Sequence, residues 1–249
     1  MFPYRDENVT VRTPYVTIAI IVLCTLTWVI VQGAGSARPL AETVCDRGLI
    51  PGELTGLLPP GSSFPMGNGL VCESEAGPHV LNILTSMFLH GSWMHLLGNM
   101  WFLWIFGNNI EDSMTRPRFA AFYLLCGLAA AMAQVISQPA SVVPMVGASG
   151  AISGVMGAYM LLFPKVRVHC FVIIFSISLP AWAMLGYWML LQLAGGLTQV
   201  GTEGGTAFWA HVGGFIAGLV GAKLFVKQDY LAAHRANLWR PARSWPENE

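Results

Sequence analysis

Long apolar runs separated by short polar stretches set the pattern of this chain. A helix that crosses a bilayer needs roughly 20 predominantly apolar residues. Six segments approach that requirement: 14–33, 93–110, 118–137, 149–163, 170–193 and 207–226. The fourth is too short to cross alone. It is expected to begin below the membrane surface, inside the bundle, and to be reached by the irregular segment 138–148. Non-helical backbone at that depth is tolerated only where protein or a water-filled cavity surrounds it. The pattern predicts an all-α polytopic membrane protein. Residues 1–13 form an N-terminal arm, 14–226 the membrane domain with a long loop at 34–92, and 227–249 a tail.

Composition sharpens this picture. The chain has 249 residues, of which 54% are hydrophobic and 10% charged. Soluble domains carry about 25% charged residues. The net charge of zero gives no reason to expect nucleic acid, and no cofactor or metal is implied. The first apolar run follows Arg5, Asp6, Glu7 and Arg12 and is longer than a signal-peptide core. Gly33-Ala34-Gly35-Ser36-Ala37 imitates a cleavage site, but the run reads as an uncleaved anchor.

Basic residues orient the spans. One alternation places Arg5, Arg12, Arg116, Arg118, Lys165, Arg167, Lys223, Lys227, Arg235, Arg240 and Arg243 on one side, and Arg38 and Arg47 on the other. Eleven against two puts both termini in the cytoplasm by the positive-inside rule. Loops 34–92, 138–148 and 194–206 then face the opposite compartment. Cys24, Cys126 and Cys170 fall in or beside apolar segments and read as small core residues. Cys45 and Cys72 lie in the long loop; a disulfide and two free thiols are both open.

Small residues recur at a spacing of four: Ser149, Ser153 and Gly157; Gly150 and Gly154; Gly214 and Gly218. Such spacing lets membrane helices approach closely. Generic packing explains it, and so does a face-to-face contact of spans four and six that would bring Ser149 to His211. The same motifs leave a homo-oligomer open.

Depth along the spans makes the second reading sharper. Under the deduced topology His95 and Asn99 open span two on one helix face, Ser149 opens span four, and His211 lies one turn into span six. At 1.5 Å per residue all four fall in the outer part of the bilayer. An ionisable residue there is a functional candidate by default. Serine is a weak nucleophile without a base, and histidine, with an ordinary pKa near 6.5, suits that role. Asn99, His95 and the Ser149 amide could donate to an oxyanion. No Asp or Glu lies inside any span, so a Ser149–His211 dyad is the economical reading. Taken singly, each residue is more often structural: serine packs helices, and asparagine pairs them. His90 reads as a loop-bonding residue, His169 as a solvated one, and His79 and His234 carry no signal.

The stretches His90-Gly91-Ser92-Trp93-Met94-His95-Leu96-Leu97-Gly98-Asn99, Gly147-Ala148-Ser149-Gly150 and Ala210-His211-Val212-Gly213-Gly214 with Gly218 together resemble the rhomboid intramembrane serine proteases. The run Phe106-Gly107-Asn108-Asn109-Ile110-Glu111-Asp112 is similar to bacterial-type members, which implies a bacterial plasma membrane. The resemblance implies a six-transmembrane-helix bundle that hydrolyses peptide bonds in or near the spans of other membrane proteins. It implies Ser149 as nucleophile, His211 as general base, and His95, Asn99 and the Ser149 amide at the oxyanion hole. It also implies that span five and loop 194–206 move to admit substrate. The partners are therefore single-span membrane proteins and the lipid bilayer. Two positions depart from the family. Ser153 stands where some members have a tyrosine packed on the histidine. Leu81 and Asn82 stand where some have a Trp-Arg pair.

Three rivals are weaker. A non-catalytic relative commonly lacks the serine or the histidine, and both are present. A transporter or channel would line a path at mid-depth with polar residues, and spans one, three and five are almost free of ionisable groups. A metalloprotease needs His-Glu-x-x-His spacing, and His90 and His95 do not provide it. In the tail, Trp239, Arg240, Arg243 and Trp245 suit either a membrane surface or a disordered end.

Overall fold

A computed structural model describes residues 1–67, 69–75, 77–173, 175–198 and 206–238. In chain order, strand β1 (Phe2–Asp6) precedes α1 (Tyr15–Leu26), which runs on as a wider turn through Val31. The first loop contains α2 (Ala37–Arg47), α3 (Pro51–Thr55), the hairpin β2 (Ser63–Gly67) with β3 (Leu70–Glu73), and the short α4 (Asn82–Thr85). Helix α5 (Trp93–Phe102) continues through a wide turn into α6 (Asn108–Asp112). Then come α7 (Arg116–Ser137), α8 (Ser149–Leu162), the hairpin β4 (Arg167–Val172) and β5 (Phe175–Pro180), α9 (Ala181–Thr198), α10 (Phe208–Phe225) and α11 (Gln228–Leu238).

Helices thus occupy the expected segments with one correction. The fifth was expected over 170–193, as one element of an all-α protein. Residues 167–180 instead form strands, which join β1 in a three-stranded antiparallel sheet ordered β1-β4-β5. The reason is local. Phe175-Ser176-Ile177-Ser178-Leu179 alternates apolar and polar with period two, which suits a strand. Pro180 lacks the amide a helix interior needs, so the helix starts after it. Among the described residues, α7 and α10 are long and apolar enough to cross a membrane by length and composition, and Tyr15–Val31 and Ser149–Leu162 are shorter apolar helices.

Helix α8 is the axis of the structure. From Gly150 to Tyr159 every residue is buried. Helix α10 crosses it on a ridge of Ala210, Gly214, Gly218 and Ala222, all buried. A Cβ at Gly214 would overlap the Gly150 carbonyl, one at Gly218 the Gly154 carbonyl, and one at Gly157 the Phe215 carbonyl. The expected face-to-face contact of these two segments is therefore what the structure contains. Helix α7 closes the triplet: a Cβ at Gly150 would meet Ala130, and one at Gly213 would meet Ala133. The outward faces are apolar. Ile30 is 71% exposed, Ile136 73% and Leu224 80%. Apolar exposure on this scale suits a lipid solvent, not water.

At one end of the bundle a polar network ties the chain together. Glu111 accepts the Val16 and Thr17 amides and the Thr17 hydroxyl, so it satisfies first-turn donors that α1 cannot satisfy itself. Asp112 accepts the Val11 amide, the Arg12 amide and guanidinium, and His234 of α11. Burial alone would raise the Asp112 carboxyl, but the bonds from His234, Val11 and Arg12 hold it below its ordinary value. His234, expected to be uninformative, is fully buried between Asp112 and Asn8. His169, expected to be solvated, lies in β4 with Nε2 2.9 Å from Glu7. At the other end, a Cys45–Cys72 disulfide joins α2 to β3. Paired amides of Leu49 and Met145 stitch the first loop to segment 138–148.

Asp6 accepts from Tyr159 and Asn109, and burial, only partly offset by the Tyr159 bond, pushes its carboxyl up to about 7 from 3.8. The folded state therefore keeps a proton that the unfolded chain has already released. The stability this carries is full below the unfolded value and is lost as pH rises through about 7. Asp6→Asn removes that dependence. Its thermal midpoint in detergent should fall less than the parent's as pH is raised across this window; an unchanged slope would contradict the assignment.

Candidate active site

The residues marked out in the sequence converge. Ser149 opens α8, two residues after Gly147, whose φ of 127° lies in the region glycine favours. The Gly147 amide donates to the Ser86 carbonyl at 2.9 Å, which holds the turn. Ser149 Oγ lies 2.8 Å from His211 Nε2, in the first turn of α10. That turn is held by the Ala210 amide, which donates to Gln134 of α7 at 3.2 Å.

His95 and Asn99 sit one turn apart on α5. Ser92 caps that helix, accepting the His95 amide at 3.1 Å. The Gly91 amide donates to His95 Nδ1 at 3.3 Å, so the ring hydrogen is on Nε2. A Cβ placed on Gly147 would be 2.7 Å from His95 Nε2 and 3.6 Å from Asn99 Nδ2. Both donors therefore look onto the backbone that leads into Ser149. Asn99 Nδ2 is buried and has no acceptor among the described residues. An unused buried donor is costly, and such a group beside the backbone that leads into Ser149 is suited to a developing negative charge. The Ser149 amide lies in a helical first turn, where amides lack intrahelical acceptors.

These groups line one cavity of about 1020 Å³. Segment 138–147 forms part of its wall, as expected, and so do Phe64, Pro65 and Met66 of the disulfide-bonded first loop. His90, expected to be a loop-bonding residue, is buried with its ring edge-on to His95 at 5.2 Å. Its main chain is clamped by both ends of the Gln32 amide.

Two neighbours of the histidine were not foreseen. Trp188 of α9 lies with its ring 5.7 Å from that of His211. It takes up the contact that Ser153 cannot make, because Ser153 turns its hydroxyl back to the Ser149 carbonyl at 2.6 Å. Gln192, one turn further along α9, has Oε1 2.7 Å from His211 Nδ1. A carbonyl oxygen only accepts, so Nδ1 carries the hydrogen and Nε2 accepts from the Ser149 hydroxyl. Asn82, at the second departure from the family pattern, donates to the Asp46 and Gly48 carbonyls and anchors the end of α2. Residues 199–205 of the loop expected to cover the site, and Trp239, Arg240, Arg243 and Trp245, lie outside the described residues.

The rhomboid domain model matches residues 78–228, a stretch that holds all four candidate residues and most of the chain. The chain belongs to the rhomboid family. As a rhomboid it is membrane-integral, and its relatives span several lineages. It is 29% identical over 144 residues to "Rhomboid protein 1, mitochondrial" of Saccharomyces cerevisiae, covering 56% of this chain and 40% of that protein. It is 30% identical over 145 residues to "Rhomboid-like protease 5" of Toxoplasma gondii, covering 57% and 16%. It is 29% identical over 150 residues to "RHOMBOID-like protein 5" of Arabidopsis thaliana, covering 59% and 45%. The chain thus matches less than half the length of each of these relatives.

The bond between Ser149 and His211 depends on the glycine contact beneath it. Gly218→Val places a methyl-bearing carbon against the Gly154 carbonyl and forces α10 off α8. Overpacking of this kind costs about 1–3 kcal/mol. The variant should show a lowered thermal midpoint and slower fluorophosphonate labelling of Ser149. Labelling at the parent rate would mean that the serine does not rely on this contact.

Proposed function

We propose that this rhomboid is an intramembrane serine endopeptidase that hydrolyses peptide bonds in or near the transmembrane segments of single-span membrane proteins. The observation that carries the reading is the 2.8 Å contact of Ser149 Oγ with His211 Nε2, in a cavity shared with the donors of His95 and Asn99. In this mechanism Ser149 Oγ attacks the scissile carbonyl carbon while its proton passes to His211 Nε2. The carbonyl oxygen becomes an oxyanion held by Asn99, His95 and the Ser149 amide. The C–N bond then breaks, and His211 returns the proton to the leaving amine. Water, admitted through the cavity, attacks the resulting ester with His211 again as base, and Ser149 is released. No metal or cofactor takes part in this scheme.

In the same reading the helices beginning at Tyr15, Trp93, Arg116, Ser149, Ala181 and Phe208 form a six-helix membrane domain over 14–226, with an arm before it and a tail after it. Both termini face the cytoplasm of a bacterial plasma membrane. The eleven-to-two distribution of basic residues supports this orientation. The Cys45–Cys72 disulfide supports an oxidising compartment on the opposite side.

The test is cleavage of a model single-span substrate in liposomes, with a small residue near its outer membrane boundary. Ser149→Ala and His211→Ala should each abolish product while leaving the thermal midpoint near the parent's. Turnover retained by either variant removes that residue from its role. Asn99→Ala should lose on the order of 2–4 kcal/mol of transition-state stabilisation. An unchanged rate would put the oxyanion donor elsewhere.

A further inference from the structure

We infer that Gln192 is a positioning residue for the catalytic base: its side-chain carbonyl holds His211 in the tautomer and orientation that let Nε2 take the Ser149 proton. The inference rests on the serine protease reading above and adds a third group to the site.

The amide of Gln192 has two possible orientations, and its surroundings choose one. The residue is 8% exposed. Its Nε2 donates to the Trp188 carbonyl at 3.4 Å, and its Oε1 lies 2.7 Å from His211 Nδ1. Turning the amide over would set Oε1 against the Trp188 carbonyl, with two oxygens facing and no hydrogen between them. It would also set an N–H against Nδ1. The histidine hydrogen would then move to Nε2, and the ring could no longer accept from serine. The Trp188 carbonyl thus fixes the glutamine, the glutamine fixes the tautomer, and the tautomer leaves a lone pair facing Ser149 Oγ. Serine-histidine sites in water often use a carboxylate at this place. Here the site is surrounded by apolar helices, where a charged side chain is costly. A neutral amide orients the ring without that cost.

Two contacts to the His211 ring come from one turn of α9, through Trp188 and Gln192. The start of helix α9 is seated in the core by Ala181, Met184 and Leu185, all buried. Leu190 and Leu197 are each 66% exposed, and its seat on α10 is made where Gly195 and Gly196 face the rings of Phe208 and Trp209. The acceptor for the histidine is thus carried by α9.

The test compares the full-length parent with Gln192→Met, Gln192→Asn and Gln192→Glu in liposomes, with the model substrate and with a fluorophosphonate probe. Methionine fills the volume with no acceptor. Asparagine keeps the amide but draws its carbonyl back by one methylene. Glutamate restores an acceptor at full length. For methionine and asparagine, kcat should fall on the order of 10- to 100-fold, with KM unchanged and labelling of Ser149 slowed by a similar factor. Glutamate should recover most of the lost kcat but lower the thermal midpoint, because it buries a charge and sets an oxygen against the Trp188 carbonyl. Parent-level kcat in the methionine or asparagine variant overturns the inference. So does a glutamate variant as slow as methionine, or an effect confined to KM. A parent that neither cleaves nor labels at Ser149 overturns the underlying protease reading instead, so the two failures are distinguishable.

Discussion

The approach of α8 to α10 across bare glycine backbone is the contact on which the rest of the structure depends. Lipid gives helices little reason to associate through apolar surface alone, so close packing of small residues has to supply the attraction. Gly150, Gly154 and Gly157 on one side meet Gly214, Phe215 and Gly218 on the other. The serine on the first helix and the histidine on the second reach hydrogen-bonding distance because nothing larger than hydrogen separates the backbones one and two turns below. Helix α7 completes the arrangement by packing Ala130 and Ala133 against both partners and by accepting a first-turn amide of α10 through Gln134.

Polar groups are distributed by cost. Near the ends of α6, α8 and α11, ionisable side chains are used freely: Glu111 and Asp112 organise the N-terminal arm, and Asp6 reaches Tyr159. Around Ser149 the hydrogen-bonding partners are histidine, asparagine and glutamine, with no carboxylate among those described. A buried carboxylate needs full pairing to be tolerated, and the network near Asp112 provides it with four donors. The end that holds Ser149 uses histidine and amide side chains instead. The same rule explains why a glutamine, and not an acidic residue, faces His211 Nδ1.

Much of this was legible in the sequence, for definable reasons. Ser149, His211, His95 and Asn99 stand in short motifs at helix starts, so their depths along each span can be compared from the sequence. The glycine spacing pointed to the α8–α10 contact. The β4–β5 hairpin was missed because averaged hydropathy does not distinguish an apolar strand from an apolar helix, although Phe175, Ile177 and Leu179 alternate with Ser176 and Ser178. That error moved the start of the fifth helix and hid the depth of Gln192, which alone in an apolar run looks like any packing residue. Trp188 was invisible for the same reason. His234 gave no local signal, since its partners Asn8 and Asp112 are 226 and 122 residues away in the chain. The Cys45–Cys72 pairing stayed open in the sequence because spacing alone does not decide it.

The most direct measurement is the structure of the protein after reaction with a fluorophosphonate, whose phosphonyl group mimics the tetrahedral intermediate. The account predicts a covalent bond at Ser149 Oγ, with one phosphonyl oxygen within hydrogen-bonding distance of Asn99 Nδ2 and His95 Nε2. His211 should lie between the adduct and Gln192. An adduct on another residue, or a phosphonyl oxygen turned away from Asn99 and His95, would contradict it.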